Sequence, residues 1–214
     1  MIEPACRETT GGSSLFIFRA DDGAVQDEAP AVDSISARLQ PASQKLLAAW
    51  SRLPRPAVVP ARASFDPCEI AGILPVISLI ERVEPGEWRV RLAGTEIERR
   101  WGRSISGMAY AEVMSPQAVD VTHCEFDAIC RQPCGSWSLR HLELQSGRRL
   151  QIETLRLPLR DKDGEISLIL SCNGELTLQS FREADHPREI VTVFEQEFID
   201  IGAGIPSFRC VPPR

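Results

Sequence analysis

Within nineteen positions of the 214-residue chain, His123, Cys124, Cys130, Cys134 and His141 gather thiol and imidazole side chains, the donors that zinc and other soft metals prefer. Their spacing argues against a metal. Zinc sites bring ligands together roughly two to four residues apart at each end of the motif, whereas His123 and Cys124 are adjacent and on a helix point about 100° apart. Small cysteines packing as apolar side chains are the preferred reading, and no metal is expected. Nucleophilic and phosphate chemistry also lack their signatures. There is no Gly-x-Ser-x-Gly, no Walker loop and no dinucleotide fingerprint, so no catalytic residue and no enzymatic activity are expected. Arg91 and Arg103 could meet an anion, but solvated or salt-bridged surface arginine is the preferred reading.

Any site has to be positioned by a folded domain, and the composition supports one. Apolar residues make up 43% and charged residues 25%, both globular values, and a chain of this length buries about 70% of its unfolded surface. The formal charge of −6, from 24 basic and 30 acidic residues, offers no phosphate-neutralising surplus, so neither nucleic acid nor anionic lipid is expected as a partner. The longest apolar run, Ile73 to Ile80, is eight residues broken by Pro75 and Ser78, far short of the ~20 that span a bilayer. No basic flank followed by an apolar stretch marks a secretory leader. Seven cysteines, odd in number and scattered, read as reduced thiols. The expected setting is cytoplasmic.

Residues 1–32 show no sustained apolar period and read as a disordered tail with an acidic cluster at Asp21, Asp22, Asp27 and Glu28. An N-terminal helical segment, 33–56, follows. Ile35 and Leu39 share one stripe, Pro41 interrupts, and Leu46, Leu47, Trp50 and Leu53 recur at helix spacing until Pro54 and Pro56. The main domain is placed at 57–178. Asp66-Pro67 opens a short turn or helix, and Leu74 to Glu81 reads as a strand apolar on both faces, which something must cover on each side. Glu84-Pro85-Gly86 turns into Glu87 to Ala93, where Trp88, Val90 and Leu92 alternate with arginines. Thr95 with Glu98 has the capping-box pattern of a short helix closing at Gly102, and Gly107 marks a second turn. Ser115-Pro116 opens the longest helix, with Val119, His123, Phe126 and Ile129 or Cys130 on its stripe. Strands at Ser136 to Leu144, Arg148 to Leu159 and Glu165 to Leu176 are separated by Ser146-Gly147 and Asp161 to Gly164. In the middle strand the alternation changes phase, which suggests a bulge near Glu153 to Leu155, and Pro158 favours an edge or a strand end. A C-terminal extension, 179–214, carries apolar runs able to dock as a further strand or helix.

The resulting order is an α+β arrangement with helices on one face of a five-stranded antiparallel sheet and an N-terminal amphipathic helix. That order is PAS-like. Val59 to Pro67, Ile73-Leu74-Pro75, Arg91 to Ile97 with Trp101-Gly102-Arg103, and Ser106-Gly107 fall in one sequence that resembles a family of short bacterial PAS-domain proteins. The likeness runs from about Leu46 to Leu176, with the ending Asp200 to Pro206 a further point of similarity. It implies a stand-alone signal-transduction domain without an attached kinase, acting as a sensor for a small metabolite or through a regulatory protein partner. A ligand would lie between the helices and the inner sheet face, near Trp88, Trp101, Tyr110, His123 and Trp137, residues that could equally be plain core. Some sensor PAS domains hold haem through a histidine placed as His123 is, yet no haem or other cofactor is expected. PAS domains commonly pair through a leading helix, so Leu46, Leu47, Trp50 and Leu53 are the expected homodimer or partner surface. The alternative is a ligand-free adaptor docking partners through the same helix.

Overall fold

Pro41 at the first helical position and an amphipathic run behind it give helix α1, Pro41–Ser51, which opens a computed structural model describing residues 35–144, 149–175, 187–208 and 210. Two 3-10 segments follow, Arg62–Ser64 and Pro67–Val76, the second started by the Asp66 carboxylate, which accepts from the Cys68 amide at 2.9 Å. The chain then forms β1 (Ile77–Glu84), β2 (Glu87–Ala93), three helices α2 (Thr95–Trp101), α3 (Tyr110–Val113) and α4 (Pro116–Arg131), and strands β3 (Gly135–Leu144), β4 (Arg149–Arg160), β5 (Ile166–Glu175) and β6 (Pro187–Ile199). The expected tail, 1–32, and the turn at Ser146-Gly147 lie outside the described residues.

The sheet is antiparallel in the order β2-β1-β5-β4-β3-β6. It has six strands rather than the five expected, because the C-terminal extension supplies β6, paired to β3 from Gly135↔Ile199 to Leu144↔Pro187. The first strand begins at Ile77 instead of Leu74, since the residues before it wind into the 3-10 segment. Thr95 and Glu98 do not form a capping box. Gly94 is the N-cap of α2, and the Glu98 carboxylate reaches forward to accept from the Ser104 hydroxyl at 2.7 Å and the Ile105 amide at 3.1 Å. The loop after α2, rather than its start, is what Glu98 holds.

No bulge interrupts β4 near Glu153: its pairing with β3 and β5 runs in register through that region. Both faces of β4 are buried, so the change of phase has another cause. Ile152, Thr154 and Arg156 face the inner layer, while Leu155, Leu157 and Leu159 face α1, and the buried polar residues mask the alternation. Pro158 sits in an interior strand but beyond the last β3 partner, Ser136↔Arg156, where no ladder bond is missed, and its carbonyl accepts from the Trp50 indole at 2.9 Å.

Two cores result, one on each side of the sheet. On the outer side Leu46, Leu47, Trp50 and Leu53 pack with Leu155, Leu157, Leu159 and Leu170. Leu46, Leu47 and Trp50 of α1 and Leu53 just beyond it are thus buried within their own chain and are not exposed for the expected homodimer or partner contact. On the inner side Ile80, Trp88, Val90, Ile97, Tyr110, Phe126 and Ile129 join helices to sheet. The start of α1 is fixed across the layers. Gln40 has no side-chain cap, and its amide donates to both oxygens of the buried Glu153 carboxylate at 3.1 Å, a negative group at the positive helix end. Glu153→Ala should therefore cost about 1–2 kcal/mol, the worth of a lost cap, read as a lower midpoint in urea unfolding; an unchanged midpoint would refute the cap.

Candidate functional site

Between the inner sheet face and α2 to α4 lies a cavity of about 90 Å³. Its helix side is apolar, lined by Ile97, Trp101, Ile105, Tyr110, Val113, Met114 and Phe126, with Ile80 and Val90 from the first hairpin. Its sheet side is largely polar, where period-two alternation brings Ser78, Arg140, Thr154, Arg156, Ser171 and Asn173 onto one face beside Ile152, joined by His141. Arg100 of α2 closes the wall and donates to the Asn173 carbonyl at 3.0 Å.

The most charged part of the wall is a triad. Glu125 projects from α4 with no exposed surface, and Arg140 and Arg156 are each 4% exposed. Arg140 donates to one carboxylate oxygen at 2.8 Å and Arg156 to the other at 2.9 Å, while the Ser136 hydroxyl makes a short contact with the latter. Arg140 also donates to the Ser138 hydroxyl at 3.1 Å and to that of Thr122 at 3.2 Å. Burial alone would push the Glu125 carboxyl up, but the two guanidiniums outweigh it and hold it below the ordinary range, so Glu125 is ionised. Burial, followed by repulsion from Arg156, lowers Arg140 from its usual value.

Of the aromatic residues singled out by sequence, Trp101 and Tyr110 line the cavity. Trp88 lies behind its wall, buried against Phe126 with ring centroids 4.8 Å apart. His123 is half-buried at the rim of α4, 5.9 Å from the Tyr110 ring and away from the lining, with burial pushing its imidazole below the ordinary value of 6.5. Trp137 is misplaced by parity: Ser136 and Ser138 face the triad, so Trp137 points to the outer layer, where the Arg38 guanidinium lies 4.8 Å over its ring. Arg91 pairs with Glu81 at 3.0 Å at the surface, and Arg103 donates to the Glu112 carbonyl at 3.2 Å.

The residues missed by sequence are Glu125, Arg140 and Arg156. One signal was available: Ala118, Thr122, Glu125 and Ile129 recur at helix spacing, and all four are buried. The apolar stripe drawn through Val119, His123 and Phe126 is rotated by one position because the true inner stripe contains a threonine and a glutamate.

The cysteine and histidine cluster disperses. Cys124 forms a disulfide with Cys210, correcting the reading of every thiol as reduced, and Cys134 and Cys130 have thiols pushed up to about 12 by burial. Among the described residues no group of three or more His, Cys, Asp or Glu side chains gathers around one point. Alkylation of the denatured protein before and after reduction should differ by two thiols, those of Cys124 and Cys210. Equal labelling would show the pair reduced in the isolated protein, the state expected of a cytoplasmic setting.

A twisted antiparallel sheet with a cluster of short helices and one long helix enclosing a cavity on its inner face defines a PAS-type sensor or signalling domain. The chain matches the PAS domain family over residues 38–173 and belongs to that family. No protein of curated function matches it significantly. Among solved structures it is similar to an RNA-binding light-oxygen-voltage receptor at 18% identity, with a TM-score of 0.37 over 58% of this chain, and it spans 38% of that receptor's length. Among the described residues no helix is long and apolar enough to cross a membrane.

Proposed function

We propose that the protein is a sensor whose PAS domain takes a small molecule into the cavity between the inner sheet face and α2 to α4, and passes the change in helix packing to a regulatory protein partner. The observation that supports this reading is the two-sided character of the cavity. A plain core would be apolar throughout, whereas this wall combines an apolar helix side with a cluster of oriented polar groups, the composition of a small-molecule site. Sensing then requires the ligand to favour one helix arrangement over another.

Ligand-observed NMR against a library of small polar and apolar fragments tests the reading. Fragments should bind the wild-type chain and lose binding in Val113→Phe, which fills the space at the helix side while the circular dichroism spectrum is kept. Fragments that bind both proteins equally, or none that bind either, would refute the sensor reading and favour a ligand-free docking module.

A further inference from the structure

The polar wall contains more positive charge than it neutralises. One carboxylate, Glu125, holds both Arg140 and Arg156, so the buried triad carries one excess positive charge. Burying an uncompensated cation is costly, and such charges are ordinarily paired. The excess is accompanied by unused donors at one spot. Arg156 and Ser171 are directly opposed in the β4–β5 ladder, so their side chains emerge together on the cavity face. Arg156 is 4% exposed and Ser171 2% exposed, yet among the described residues the Arg156 Nε and the Ser171 Oγ have no hydrogen-bond partner. Buried donors of this kind are normally satisfied. An N–H and an O–H side by side beside a surplus positive charge complement a carboxylate, which is acceptor-only and takes charge-assisted hydrogen bonds.

The geometry points to a small organic carboxylate as the ligand, its oxygens accepting from Arg156 Nε and Ser171 Oγ and its apolar body lying against Trp101, Tyr110 and Met114. This inference rests on the sensor reading and names the chemical class that the sensor takes. The apolar helix wall distinguishes an organic acid from an inorganic anion, which would leave that surface uncovered. The volume of about 90 Å³ limits the body to a few carbons, since a cavity of about 150 Å³ is filled by benzene.

The test titrates the full chain at constant ionic strength with the straight-chain carboxylates from acetate to hexanoate, with butyramide as the uncharged counterpart of butyrate, and with chloride and phosphate, following tryptophan fluorescence and thermal midpoint. At least one carboxylate should bind tenfold or more tightly than butyramide and than either inorganic anion. Arg156→Met, which leaves Glu125 and Arg140 as a balanced pair, should abolish that preference, bringing the carboxylate down to the level of butyramide in the same variant; should it fail to fold, Ser171→Ala should weaken the carboxylate about fivefold. Equal binding of butyramide and butyrate would overturn the carboxylate assignment and leave the cavity as a neutral-ligand site. Equal binding of chloride or phosphate would overturn it in favour of an inorganic anion, and carboxylate binding indifferent to both variants would overturn the assignment to Arg156 and Ser171. If no compound binds, the carboxylate assignment falls, while the sensor reading stands or falls on the fragment screen.

Discussion

Glu125→Ala is expected to destabilise the domain by about 3–5 kcal/mol, the usual cost of removing one partner from a buried ion pair and leaving the other unpaired. Here two partners are left, and Arg140, already lowered by its neighbour Arg156, would face it without the intervening carboxylate. The chain should therefore unfold at distinctly lower urea concentration, and the loss should be largely recovered in a triple variant that also carries Arg140→Leu and Arg156→Met, because uncharged side chains of similar volume need no counter-ion. The carboxyl's depressed pKa fixes the sign of the pH dependence. The stabilisation by Glu125 is complete above its unfolded value, near 4.5, and is lost as pH falls through the lower folded value. A variant within about 1 kcal/mol of wild type would show that the triad is hydrated, not buried, in solution.

Gly94→Ala should be comparably severe for a different reason. Gly94 has φ −70° and ψ 159°, a conformation open to any residue, so conformational freedom is not the issue. A Cβ built there would lie 2.2 Å from the Leu74 carbonyl oxygen and 2.4 Å from that of Pro75. Both are backbone atoms and cannot rotate away. The Gly94 amide also donates to the Ile77 carbonyl at 2.8 Å, anchoring the start of α2 to the start of β1. Overpacking a tight site commonly costs 1–3 kcal/mol and sometimes more, and with two backbone clashes about 3 kcal/mol or more is expected in chemical denaturation. Gly72→Ala is the control, since its Cβ would meet only the flexible end of Lys45 at 3.5 Å. If the two variants were equally stable, the close approach would be absent in solution.

This contact also explains part of what was legible in the sequence. The stretches Ile73-Leu74-Pro75 and Ala93-Gly94-Thr95, quoted separately for the PAS resemblance, are the two sides of one backbone approach. Elements with one wet face were equally readable: β2 shows its alternation because Trp88 and Val90 are buried while Arg89 and Arg91 are exposed. Legibility failed where both faces are covered. In β4 and along α4 the inner positions carry Thr122, Glu125, Thr154 and Arg156, polar residues that periodicity assigns to solvent but that are held in the interior by hydrogen bonds between elements, Thr122 with Arg140, Glu125 with Arg156 and Thr154 with Asn173. The aromatic residues drew attention by size, and size selects core residues on either side of a sheet, which is why Trp137 was assigned to the wrong layer. The sixth strand was obscure because its partner, β3, lies more than forty residues upstream of β6 in the chain, beyond the reach of local pattern.

Glu153, which fixes the first amide of the α1 turn, is adjacent in β4 to Thr154, which lines the cavity. A single peptide unit therefore separates the chamber floor from the fastening of the opposite layer. Side chains on the two faces of a strand have no common path except the main chain between them, so β4 works as a shared wall rather than a partition. A displacement of that wall changes the shape of the chamber on one side and the seat of the leading helix on the other in the same motion.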